Sequence, residues 1–243
     1  MQQFRIFRAL GMAFRVWFRN FIPFTLTAAV LYAPAVLIEL RVDGTGLDED
    51  GLLGAFFGAP MYLLVALSTL LAPMITYRVI QDLSGSKVSM LTSLRFGLRG
   101  VVPALMVAII CQLLARIPIA GPIVGTVATC IWFVATPTAV AERLWPMAAL
   151  TRSSQLTSGR RWGIFGLAAL VVLLGILFVA VWLLPQLREG GDTVARTREA
   201  ALTFMVVIGV YYLFYGITQA VSYVLLREDK DGVSRQELAK IFE

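Results

Sequence analysis

The sequence predicts an all-α polytopic membrane protein: six transmembrane helices, three cytoplasmic amphipathic helices and a threefold degenerate internal repeat. Three observations predict it. Apolar residues make up 58% of the 243 and charged residues only 15%, with 20 glycines besides. The apolar share with glycine is about 66%, against roughly 45–50% for soluble domains, so the excess points to lipid. The apolar residues also gather into long runs. Lys and Arg, finally, fall mostly on one side of those runs, 16 of 21.

The elements follow in chain order. Residues 1–20 read as an amphipathic helix. At about 100° per residue, Arg5, Arg8, Arg15 and Arg19 share an arc of roughly 80°. Phe4, Phe7, Leu10, Phe14, Trp17 and Phe18 cover the opposite side. Such a helix lies in the headgroup plane, packs on the protein's own cytoplasmic face, or does both. Spans are expected at about 21–40, 53–77, 101–117, 120–141, 162–184 and 200–226, since a crossing helix needs about 20 mostly apolar residues. The first run is longer than the roughly 7–15 residues of a signal-peptide core and reads as a retained span. Ala115-Arg-Ile-Pro-Ile-Ala-Gly-Pro122 sets two prolines and a glycine beside a charge and reads as the turn of a helical hairpin. Residues 227–243 form a cytoplasmic tail. Asp229 to Glu237 misses a calcium loop, because Leu238 stands in the bidentate Glu position and Arg227 in the first ligand position. Ser234 and Glu237 instead form a capping box opening a short helix to Phe242.

Charge sets the orientation. With the N-terminus in the cytoplasm, the cytoplasmic segments carry 16 Lys and Arg, four per segment. The outer segments carry five: Arg41, Arg116, Arg188, Arg196 and Arg198. This is the positive-inside pattern. The net charge of +6 is therefore an orientation signal and an inner-leaflet contact surface. A nucleic-acid partner is not expected, since a binding patch would concentrate the basic residues.

A repeat underlies the spacing. Arg15-Val-Trp-Phe-Arg19-Asn-Phe-Ile-Pro23 aligns with Arg95-Phe-Gly-Leu-Arg99-Gly-Val-Val-Pro103 at an offset of 80, with a looser third copy over Leu150 to Trp162. Each unit reads amphipathic helix, span, span. Pro73 and Pro137 are expected to end the second span of the first two units.

Reactive chemistry is scarce. The chain has no His, so it lacks Ser-His and Cys-His pairs and HExxH zinc sites. Cys111 and Cys130 lie in apolar runs and read as reduced, buried small hydrophobes. No carboxylate pair in an apolar setting, phosphate-cradling glycine loop or serine with a nearby base occurs. An enzyme, a metal and a cofactor are not expected. Intramembrane polar groups are Gln112, Thr126, Thr129, Thr136, Thr138, Thr218, Gln219 and Ser222. They read as helix glue or as donors to their own helix carbonyls. Glu39 and Arg116 are expected to snorkel at the outer boundary, and Glu142 to form an ion pair beside Arg143 at the cytoplasmic one.

The stretch from Pro118 through Gly121-Pro122 and Trp132, then Pro137-Thr-Ala-Val-Ala-Glu142-Arg-Leu-Trp-Pro-Met-Ala-Ala-Leu150-Thr-Arg152-Ser153-Ser-Gln-Leu156-Thr-Ser-Gly159-Arg-Arg-Trp162, resembles the YciC-like six-span bacterial inner-membrane proteins. The same pattern marks the membrane domain fused to some glycerophosphodiester phosphodiesterases, whose chemistry lies in a separate soluble domain. The resemblance implies a bacterial cytoplasmic membrane and a role in envelope or lipid homeostasis. Its family-like residues, Pro137, Glu142, Leu150, Arg152, Ser153 and Gly159, are structural.

Residues 1–243 are thus expected to form a single membrane domain, non-enzymatic, with both termini cytoplasmic, that organises lipids or partner proteins. The partners are membrane lipids, anionic inner-leaflet lipid favoured, with a homo-oligomer or a partner membrane protein also open. Candidate headgroup contacts are Arg5, Arg8, Arg15, Arg19, Arg95, Arg99, Arg160 and Arg161. The alternative is a transporter or channel for a lipid or a small apolar solute.

Overall fold

The structure, a computed structural model, describes residues 6–41, 59–86, 89–115, 121–188 and 193–240. The side chains of Arg99, Cys111, Gln112, Thr126 and Thr129 lie outside the described residues, as do Arg5 and Arg116 entirely. The turn expected at 116–120 falls there too. The regular structure described is all helix: α1 (Ile6–Arg19), α2 (Phe21–Arg41), α3 (Ala59–Leu83), α4 (Met90–Ala115), α5 (Gly121–Trp132), α6 (Ala135–Ala141), α7 (Pro146–Thr157), α8 (Arg161–Arg188), α9 (Thr193–Asp231) and α10 (Arg235–Lys240).

Four segments are long and apolar enough to cross a membrane: Phe21–Arg41, Pro60–Leu83, Arg161–Val181 and Ala201–Asp231. A fifth follows if α4 counts as one span, its halves Leu91–Leu98 and Gly100–Ile110 meeting at 57°. By length and composition the chain is a membrane protein. On α8 the side chains of Val172, Leu173, Ile176, Leu177, Phe178 and Val181 are exposed, a wall too apolar for water.

Prolines explain most departures from continuous spans. Pro103 has no N–H for the Arg99 carbonyl and Gly100 adds freedom, so α4 bends there. Pro23 removes the bond to the Arg19 carbonyl in the same way, and α1 gives way to α2 at Asn20. The expected span 120–141 is divided into α5 and α6 at Phe133-Val134, four and three residues before Pro137. Pro73 behaves differently from expectation. It does not end its helix, since α3 runs on to Leu83.

The 39-residue α9 is the axis of the bundle. At 1.5 Å per residue it is about 58 Å long, nearly twice a bilayer core of about 30 Å. Ile217, Ala220, Val221, Tyr223, Val224 and Leu226 on it are fully buried. It packs against α3, α1, α2 and α8, and α3 packs closely on α4. Gly97 permits that approach. A Cβ there would stand 2.2 Å from Met74 Cγ and 3.2 Å from Met74 Cα.

Gly97→Ala should therefore lower stability by about 1–3 kcal/mol through overpacking. Gly11→Ala, where a Cβ meets nothing within 4 Å, should raise it by roughly 0.5–1 kcal/mol. Thermal unfolding of both variants in mild detergent checks the pair.

Candidate functional site at the arginine-rich end

One end of the bundle collects the C-termini of α1, α3 and α9 with the whole of α7. Arg19 Nη2 donates to the Asp82 carbonyl at 2.6 Å and its guanidinium pairs with the Asp82 carboxylate, tying α1 to α3. Gln81 Nε2 donates to the Ala239 carbonyl at 3.2 Å, tying α10 to α3.

Glu142 is the centre of this end. It caps α6, and its carboxylate, with the side chain 16% exposed, accepts from three donors. Oε1 takes the Tyr223 hydroxyl at 3.2 Å and Arg227 Nη1 at 3.0 Å. Oε2 takes Arg152 Nε at 3.2 Å. Asp231 closes the network, pairing with Arg152 and, at 2.9 Å, with Arg227 Nη1. Two guanidiniums thus meet two carboxylates, and the node is neutral. Burial opposes the Arg152 charge, yet Glu142 and Asp231 outweigh it and hold the guanidinium above its usual value. Nearby, Arg160 pairs with Asp229, and Lys230 Nζ donates to Ser158 Oγ at 2.7 Å. Arg235 grips Glu228 with two nitrogens, at 2.5 and 3.2 Å. The last turns of α9 are thereby clamped to residues 142–160.

A tight reversal sets Glu142 in place. Leu144 N–H reaches back to the Ala139 carbonyl at 3.1 Å, and Arg143 takes the left-handed conformation at φ 52°. This is a Schellman turn with arginine where glycine is usual, at a cost of roughly 1–2 kcal/mol. Pro146 then opens α7 at a position where its missing N–H costs nothing. Ser153 and Thr157 both donate to the Ile131 carbonyl, at 3.1 and 3.0 Å, beside the break that Pro137 makes. Gly159, at φ 76°, turns the chain into α8.

The family-like residues therefore form one unit. Glu142 and Arg152 pair, Ser153 braces the helix break, Pro137 and Leu150 are buried, and Gly159 supplies the turn. Glu142 forms the ion pair expected of it, and its partners are Arg152 and Arg227, on two other helices. Tyr223, Arg227 and Asp231 did not figure among the candidates. Their spacing of four on one face of α9 is the signal that marks them.

Helix α1 carries three faces. Ala9, Ala13 and Val16 are buried against the bundle, and the Phe14 ring packs at a tilt of 41° on Phe214 with ring centroids 4.6 Å apart. The arginine arc stands about 110° from that face, with Arg8 and Arg15 exposed. Phe7 and Phe18 stand on the far side, about 160° away, at 82% and 67% exposure. The single apolar arc read from the sequence thus splits: Leu10, Phe14 and Trp17 lean on the core, while Phe7 and Phe18 do not. Arg95 and Arg161 are also exposed, as are the rings of Trp145 and Trp162. Arg19 and Arg160, in contrast, are held by carboxylates.

Inside the bundle, Thr138, Thr218 and Ser222 each donate to the carbonyl four residues earlier, as expected of helix-bonded hydroxyls. Glu39 is buried on α2 and does not snorkel. Cys130 is a free thiol. No cluster of three metal-ligating side chains occurs among the described residues. Comparison with models of known families, with curated proteins and with solved structures found no match.

Glu142→Gln should lower stability by about 2–3 kcal/mol, below the 3–5 kcal/mol of a fully buried pair because the node is partly hydrated. A double-mutant cycle with Arg227→Gln, read by chemical unfolding in detergent, should give a coupling of about 1 kcal/mol or more. A coupling near zero would show that the Glu142–Arg227 pair carries no stability.

Proposed function

We infer that the protein is a non-enzymatic, six-span inner-membrane protein, with both termini cytoplasmic, that gathers anionic lipid at the inner leaflet. The observation that carries this reading is α1. One face is sealed against the bundle, one presents bare aromatic rings, and the third presents arginines. Rings as exposed as Phe7 and Phe18 are costly in water and at home at the acyl boundary, with guanidiniums in the adjacent headgroup layer. Trp145 and Trp162 at the same end fit the aromatic belt of a membrane boundary.

The threefold repeat is part of this reading. Helix joints fall at Asn20, at Gly100 and at Ser158 to Arg160, each just before an apolar helix, and the first two lie 80 residues apart. The YciC-like kinship is likewise supported by the single unit that its motif residues build around Glu142. The alternative, a transporter or channel for a lipid or small apolar solute, is favoured by the broken α5–α6 segment.

Reconstitution tests the leading reading. In nanodiscs containing phosphatidylglycerol the unfolding midpoint should exceed that in pure phosphatidylcholine. Arg8→Gln with Arg15→Gln should shrink the difference, since each arginine near an anionic surface contributes about 1 kcal/mol. Equal midpoints for the wild type in both lipids would overturn it.

A further inference from the structure

A crevice of about 400 Å³ lies between α2, α3 and α4. Its floor is apolar and buried: Phe24, Leu71, Met74 and Ile75. Its rim is exposed: Val30 on α2, at 73%, with Leu91 and Leu94 on α4. The volume lies in the roughly 300–1,000 Å³ range of small-molecule sites. Three polar side chains line it, and two have spent their protons. Thr27 donates to the Pro23 carbonyl and Ser93 to the Ser89 carbonyl. The third is Arg78.

Arg78 is unlike the other half-buried arginines of this end. Arg152, Arg160, Arg227 and Arg235 each meet a carboxylate. Arg78 Nε donates to Asn20 Oδ1 at 3.1 Å, and its Cζ stands 6.0 Å from the centre of the Phe24 ring. Its two terminal nitrogens have no hydrogen-bond or ion-pair partner among the described residues. A planar fork of donors at one end of an apolar slot suits a phosphate carried on a hydrocarbon chain.

We propose that this crevice is a binding site for an anionic glycerophospholipid, with one acyl chain between Val30, Leu71 and Leu94 and the headgroup phosphate on Arg78. The site rests on the membrane placement inferred above, and goes beyond it by naming the pocket, the ligand class and the group that reads it. Thr27 and Ser93 keep lone pairs for the glycerol hydroxyls.

The test is photolabelling of the full chain in nanodiscs, mapped by mass spectrometry. The probes are phosphatidylglycerol with a photoreactive acyl chain and phosphatidylcholine with the same chain. Phosphatidylglycerol should label residues 24–31, 71–75 and 91–94 several-fold above phosphatidylcholine. Arg78→Gln should cut that labelling about fivefold, the equivalent of one arginine at an anionic surface. Val30→Trp plugs the rim from an exposed position and should abolish crevice labelling by both probes, which decides the matter if Arg78→Gln fails to fold. Equal labelling by the two probes, or labelling that survives Val30→Trp, would overturn the site. Labelling spread over the apolar helices but absent from the crevice would overturn the site and leave the membrane reading standing. No labelling of any helix would overturn both.

Discussion

A guanidinium at the margin of an apolar bundle needs a counter-charge, because an unmatched buried charge costs several kcal/mol. It can find one in a carboxylate of its own chain or in an anionic surface outside. The first solution is seen here, and the second is the one proposed for a different set of arginines. Arg19 meets Asp82, Arg152 and Arg227 both meet Glu142 and Asp231, Arg160 meets Asp229, and Arg235 meets Glu228. Arg8, Arg15, Arg95 and Arg161 remain exposed, as do the rings of Phe7, Phe18, Trp145 and Trp162. The first group locks helices to one another, and the second faces whatever lies beyond.

The lock has a definite hierarchy. Glu142 sits at the end of a seven-residue helix that would be marginal alone, and its three donors come from α7 and α9. Those contacts hold the end of the longest helix in the chain, which in turn provides the floor for α1 through Phe214. The arginine-rich end therefore behaves as a stiff platform. What it presents outward, the rings and cations of α1 and the tryptophans near α7 and α8, is held in register by what is neutralised inside.

Much of this was legible in the sequence, and the failures have physical causes. Long apolar runs located α2, α3, α8 and α9, and Ser234 with Glu237 located α10, where the Ser234 N–H donates to Glu237 Oε2 at 2.8 Å. A packed face of α1 was allowed for but not assigned to its residues, because hydropathy cannot separate an arc that packs on protein from one that meets lipid. Residue size can, since Ala9 and Ala13 allow close approach and Phe7 does not. The end of α9 was placed at 226, where hydropathy falls, but ion pairs carry the helix on to Asp231. The division at Phe133 follows from Pro137, whereas Pro73 leaves α3 continuous. At Glu142 the ion pair was legible but its partners were not, since they lie 10 and 85 residues away and only folding unites them.

The proposed function depends first on α1 lying at the membrane boundary, with its aromatic face in lipid and its arginine face in the headgroup layer. Spin labels placed singly at positions 7, 8, 15 and 18 of the reconstituted protein measure this directly. Labels replacing Phe7 and Phe18 should be relaxed by oxygen, which concentrates in hydrocarbon. Labels replacing Arg8 and Arg15 should be relaxed by a water-soluble nickel chelate. Equal access of the aqueous reagent to all four positions would contradict the claim.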